Sequence, residues 1–136
     1  MTLFLLARIA GQGVAIDSAE VESVIDIGAI VPVPRVSEAV LGVAALRSRV
    51  ITVIDTWRLL GLDPPVAPPR GVVTAVDGHD YAVLFDAVED VATLAGGPVP
   101  PGLALDGVWA RAARGVAEVD GEPMLVIGLD ALVAAA

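Results

Sequence analysis

The 136-residue chain carries 17 Asp+Glu against eight Lys+Arg, a formal charge of −9, with 56% hydrophobic residues and no cysteine. This length holds one ordinary domain or two small ones, and the apolar content supplies a large core. The acidic balance excludes the basic face that nucleic-acid binding needs, and the missing thiols exclude disulfides, thiolate metal sites and thiol catalysis.

No stretch reaches the ~18 unbroken apolar residues of a membrane span. Met1-Thr2-Leu3-Phe4 lacks a basic region and a cleavage-site pattern, so no signal peptide and a cytoplasmic location are expected. The apolar surplus predicts surface patches that serve partners.

In chain order, Leu3–Ile9 is an apolar run that predicts a buried strand. Gly11-Gln12-Gly13 marks a turn and Val14-Ala15-Ile16 a returning strand. Asp17-Ser18-Ala19-Glu20 offers an N-cap and an acidic first turn, followed by an extended run through Val21, Val24, Ile25 and Ile27. Ile30-Val31-Pro32-Val33-Pro34-Arg35 is a proline-fixed loop, and Ser37-Glu38 can cap a helical turn.

The stretch from Leu41 to Asp55 is the centre of the pattern. A small apolar run, Val43 to Leu46, is joined at Ser48-Arg49 to a β-branched run, Val50 to Ile54. That predicts a hairpin with a charged tip. Arg47 and Arg49 either solubilise the tip or are held out for a partner, since arginine is favoured at interfaces.

After Asp55, Thr56 to Leu60 predicts a helical turn ended by Gly61. Residues 63–71 hold four prolines and predict a stiff linker. Beyond it, Asp77-Gly78 and Asp120-Gly121 each join two apolar runs as hairpins. Asp86 to Val91 alternates like a half-exposed strand, Gly96 to Gly102 is a loop, and Leu129 to Ala136 predicts a terminal helix.

The halves echo each other. Gly13-Val14-Ala15-Ile16-Asp17 resembles Ala82-Val83-Leu84-Phe85-Asp86, and Val53 to Leu60 resembles Val126 to Val133. Each half supplies about five short strands, enough for a small barrel that is marginal alone. The expectation is one domain of two packed subdomains: residues 1–62, the linker 63–71, and residues 72–136.

Catalytic chemistry is sparse. His79 stands alone in a hairpin tip, no serine sits in a nucleophile-elbow setting, and Gly11-x-Gly13 lacks a third glycine. Asp55 and Asp86 end strands and are expected to cap the turns that follow. Asp86, Glu89 and Asp90 do not have the spacing of a calcium loop. No enzyme activity, metal site or cofactor is expected.

The stretch Leu41–Asp55 resembles the signature of the CheW family, the coupling proteins of bacterial chemotaxis. Val31-Pro32-Val33-Pro34 resembles the family's proline loop, and Phe85 to Val91 its second signature. The likeness runs in register along nearly the whole chain. Departures are Ala45 for the family asparagine, Ser48 for its glycine, Thr52 for its proline, Thr56-Trp57 where a leucine follows Asp55, and Gly128 for a second aspartate.

The resemblance implies a mainly β fold: two five-stranded SH3-like barrels packed together, with short helical turns and a C-terminal helix. It implies a non-catalytic adaptor between the regulatory domain of a CheA-type histidine kinase and the cytoplasmic tips of chemoreceptors, at membrane-associated arrays and without membrane insertion. Carried over position by position, Val21, Gly42, Arg47 and Val88 lie at a receptor-facing groove between the barrels. Leu46, Ser48, Arg49 and Val50 lie at a kinase- or array-facing edge. The departures leave open an SH3-like interaction module of another chemosensory or two-component system.

Overall fold

The computed structural model describes residues 1–66 and 68–136; Ala67, inside the proline-rich stretch, lies outside the described residues. The strands are β1 (Thr2–Ile9), β2 (Gln12–Asp17), β3 (Ser23–Asp26), β4 (Val40–Leu46), β5 (Arg49–Asp55), β6 (Arg70–Val76), β7 (His79–Phe85), β8 (Ala87–Leu94), β9 (Gly96–Gly97), β10 (Ala113–Val119) and β11 (Glu122–Ile127). The helices are α1 (Thr56–Leu60), α2 (Gly107–Ala112) and α3 (Leu129–Ala135), with a 3₁₀ turn at Ser18–Glu20.

Turn chemistry explains the hairpins. Ala10-Gly11, Asp77-Gly78 and Asp120-Gly121 all have positive φ at both positions, the conformation that suits the right-handed twist of paired strands. Gly61 ends α1 in the left-handed conformation, as expected. The expected helical turn after Ser37 is instead a tight turn closed by Val40 N–H donating to Ser37 O.

The mainly β expectation holds, with two sheets and a C-terminal helix. One sheet has the order β8-β1-β2-β11-β10-β9, the other β3-β6-β7-β5-β4. The first has a sixth short strand, β9, where five were expected.

The expected division into residues 1–62 and 72–136 does not describe the sheets. The halves exchange their opening hairpins. Hairpin β1–β2 joins the six-stranded sheet of the second half, pairing with β8 and, in parallel, with β11. Hairpin β6–β7 joins the five-stranded sheet of the first half, pairing with β3 and, in parallel, with β5. The proline stretch therefore leads from α1 into a strand of the same sheet rather than between subdomains. The echo between halves is real, because β2 and β7 occupy equivalent places beside β11 and β5.

Strand β1 shows why a continuous apolar run was needed. Leu5, Ala7 and Ile9 face the main core shared by both sheets, with Phe85, Trp57, Leu129 and Leu132. Phe4 and Leu6 face a second core with Ala15, Ala117, Met124 and Val126. The period of two splits one strand between two cores. Each fully buried aliphatic or phenyl side chain contributes roughly 1.5–3 kcal/mol.

The repeats share a second device, an outer segment passing over a glycine. Val31 bridges to Val43 with both backbone bonds formed, at 2.8 and 2.9 Å. Beneath it, Gly42 has φ +147°, and a Cβ there would strike Val31 O and stand 2.7 Å from Val31 C and 2.9 Å from Pro32 Cα. In the second half β9 crosses β10 in the same way, and a Cβ on Gly115 would strike Gly97 O. Both glycines sit at register shifts, in the pairing of β4 with β5 and of β10 with β11.

Candidate functional site

The central hairpin turns at Arg47-Ser48, one residue earlier than the sequence suggests, because Leu46 still pairs with Arg49. Arg47 takes the left-handed conformation, φ 57°. A β-branched residue would be strained there, and an arginine is held at the tip on a two-residue loop.

The two tip arginines differ in kind. Arg49 binds Glu22 and, at 3.0 Å, Asp80, so it ties β5 to the stretch before β3 and to β7. The hydrogen bond to Glu22 leads the causes that raise its pKa. Arg47 is exposed and forms no ion pair among the described residues. Leu46, Arg47 and Arg49 line one recess with Glu22, Ser23, Val24 and Ile25, where β3 meets the hairpin.

Val50 is 67% exposed and stands opposite Ala45, also exposed. Val43 points to the same side, two residues along β4, and its bridge partner Val31 is 62% exposed. Val31, Ala45 and Val50 thus give the outer face of the hairpin an apolar strip, with Arg47 and Ser48 at its end.

Val21 follows the 3₁₀ turn, half-buried, its N–H donating to Ser18 O at 3.1 Å. It packs on the main core and shares a recess with Ala19, Glu22, Thr74 and Asp130. It precedes Glu22, which holds Arg49, so Val21 and the hairpin tip are joined through one ion pair. Val88 also packs on the main core but lies in β8, opposite Ala7 in the other sheet. Gly42 is buried beneath the Val31–Pro32 backbone and offers no side chain to a partner. In the structure it supports the loop above it.

Asp55 caps α1 as expected, accepting from Arg58 N–H at 3.0 Å. Asp86 caps no following turn. Its Oδ1 accepts from Ala10 N–H at 2.9 Å and Trp57 Nε1–H at 2.6 Å, and its Oδ2 from Gly11 N–H at 2.8 Å. Glu89 is taken up by Arg8 at 2.6 Å, and among the described residues no group of three potential metal ligands comes together.

Gly128 stands where Asp55 stands in the first half, and a glycine has no side-chain acceptor for the helix amides. Glu20 supplies the missing acceptor from 109 residues away: its Oε1 takes Leu129 N–H at 3.1 Å and Asp130 N–H at 3.5 Å. Glycine at 128 leaves room for the Arg114–Asp130 pair, since a Cβ would stand 2.7 Å from Arg114 Nε and from Asp130 Oδ1. Nothing in the local spacing marks Glu20 for this role.

Burial raises the Glu20 carboxyl above its ordinary range, against the bond from Asp130 N–H; the charge of Asp130 adds to the rise. In the folded chain Glu20 therefore holds its proton to higher pH than in the unfolded chain. The stability it contributes is present below the usual glutamate range and is lost as pH rises through the raised value. Burial also opposes ionisation of Asp130, but Arg114 and Ala131 N–H outweigh it and lower that group, which gives the opposite slope at lower pH. Glu20→Gln keeps the acceptor oxygen and removes the first slope. Its melting temperature relative to wild type is expected to climb between about pH 4 and pH 7. Parallel melting curves across that range would show that Glu20 is too well hydrated to matter.

An apolar cleft lies away from the hairpin tip, between the six-stranded sheet and α2, lined by Ile9, Leu62, Leu103, Trp109, Met124 and Leu125. Helix α2 was missed in the sequence because it is short and Asp106 makes no side-chain cap.

The family model of the CheW-like domain matches residues 3–136. The chain belongs to the CheW family. A chemotaxis protein CheW of Rhizobium meliloti (strain 1021) is 30% identical over 104 residues, covering 74% of this chain and 67% of that protein. The crystal structure of the scaffolding protein TtCheW from Thermoanaerobacter tengcongensis superposes with a TM-score of 0.84 at 23% identity, over 96% of this chain and 91% of that one. CheW proteins have two SH3-like barrels, and that is the fold seen here in the two sheets. Among the described residues no helix is long and apolar enough to cross a membrane.

Proposed function

We propose that this CheW-family chain is a non-catalytic adaptor of chemotaxis signalling, coupling cytoplasmic receptor tips to the regulatory domain of a CheA-type histidine kinase at membrane-associated arrays. The observation that carries the reading is the hairpin tip. Arg47 is exposed, without an ion pair among the described residues and set on a two-residue turn at positive φ, beside Arg49, which is committed. An arginine held out in this way is suited to a partner's carboxylates or carbonyls.

In this reading Val21, Arg47 and Val88 face the receptor. A receptor tip is helical, and an apolar stripe lying against half-buried valines is the helix-in-groove mode. The outer strip, with Leu46, Ser48, Arg49 and Val50, faces the kinase or a neighbouring array component.

Arg47→Glu and Val21→Glu test this against a soluble receptor-tip fragment. Complexes of this kind are expected near micromolar affinity, roughly −8 kcal/mol. A carboxylate buried without a partner costs several kcal/mol, so each variant is expected to lose measurable binding by calorimetry. Arg47→Glu should keep its melting temperature, because its side chain makes no ion pair or hydrogen bond among the described residues. Wild-type affinity in both variants would move the receptor site elsewhere.

A further inference from the structure

The cap that Glu20 provides does more than satisfy two amides. Its carboxylate sits on α3, while its backbone belongs to the turn that leads into β3. The same residue's carbonyl accepts the Thr74 hydroxyl at 2.7 Å, and Glu22 N–H donates to Val73 O at 2.8 Å. The stretch from Glu20 to Glu22 is thus fastened to β6 by its backbone and to the terminal helix by one side chain.

The first half shows what an ordinary arrangement looks like. Asp55 caps α1 from the adjacent position, with φ −92° and ψ 109°. Gly128 has nearly the same backbone, φ −93° and ψ 125°, yet carries no acceptor. The backbone is therefore set for a local cap, and the cap comes from the other half of the chain. Asp130 and Arg114, bonded to each other at 2.9 Å, flank the contact.

We infer that Glu20 is a clasp that makes α3 and the stretch through Val21 loosen and tighten together. A local cap would have left the two ends independent. The coupling itself stands without the adaptor reading; only its use by a receptor bound at Val21 rests on that reading.

Amide hydrogen exchange on the free full-length chain tests it at neutral pH, with no partner present. In Glu20→Ala the amides of Leu129 and Asp130 should exchange about five- to tenfold faster, as loss of a cap implies, and those of Val21 and Glu22 should speed up with them. Glu20→Gln, which keeps the acceptor, should leave all four near their wild-type rates. Glu20→Ala combined with Gly128→Asp separates capping from coupling. The new aspartate restores an adjacent acceptor, and the side-chain ends of Arg114 and Asp130 swing aside to admit it. In that chain Asp130, the second amide of α3 and within reach of a side chain at 128, should recover protection while Leu129, Val21 and Glu22 stay fast. Unchanged exchange at Leu129 in Glu20→Ala would overturn the clasp. Faster exchange at α3 alone, with Val21 and Glu22 as protected as in wild type, would leave a cap and overturn the coupling.

Discussion

Asp86→Ala is expected to lower the melting temperature by roughly 10–20 °C. One carboxylate accepts three hydrogen bonds, from the Ala10 and Gly11 amides at the β1–β2 turn and from the Trp57 indole on α1. Bonds to a charged acceptor contribute about 1.5–3 kcal/mol each, and three that share one acceptor do not add fully, which gives a loss of about 3–5 kcal/mol. Trp57 is 2% exposed, so its N–H would be left without a partner in the interior. Asp86→Asn keeps one acceptor oxygen and turns an amide toward one of the three donors, so its loss should be intermediate. Trp57 fluorescence should shift in both variants. A melting temperature within a few degrees of wild type for Asp86→Ala would mean that water replaces the carboxylate at no cost.

Gly42→Val is the second large effect, expected at roughly 2–4 kcal/mol. The obstacle is backbone, since a Cβ would meet Val31 O, Val31 C and Pro32 Cα, which cannot swing aside as a side-chain end can. The φ of +147° adds strain for any side chain. The bridge between Val31 and Val43 should break, releasing the proline loop, and exchange of the Val31 and Val43 amides should rise. Partner binding at the outer strip would then fail through the loop's displacement, with Arg47 and Val50 intact. Preserved protection of Val31 in a folded Gly42→Val chain would refute the account.

Much of the fold was legible because its signals are local. Asp77-Gly78 and Asp120-Gly121 dictate their turns, and the apolar run of β1 dictates burial on both faces. The hairpin tip was off by one because arginine gives no sign that it will take a positive φ. The sheet partition was not legible, since the parallel pairing of β2 with β11 joins residues more than a hundred positions apart. Local repeats showed that the halves correspond, but correspondence does not reveal which half's hairpin completes which sheet. At the site, Arg47 was legible as part of a charged hairpin tip, whereas the exposure of Val50 was not, because its β-branched run reads as a buried strand. The commitment of Arg49 was not, because Glu22 and Asp80 reach it from other strands. The space that Gly42 leaves for the Val31–Pro32 backbone was not legible, and Asp86 and Glu20 act on donors far away in sequence.

The exchange of opening hairpins bears on how the chain is made. Strands β1 and β2 precede their partners in the chain: β1 waits for β8, and β2 waits for β11, whose last paired residue is Ile127. Until then Phe4 and Leu6 lack Ala117, Met124 and Val126, their neighbours in the second core. The sheet of the first half can assemble once Phe85 has emerged, because β3 to β7 are then all present. Synthesis therefore passes through a stage with one finished sheet and an apolar β1–β2 hairpin still unsheltered, the kind of surface on which nascent chains aggregate or recruit chaperones. Closure of the second sheet depends on contacts between strands more than a hundred residues apart, which form slowly.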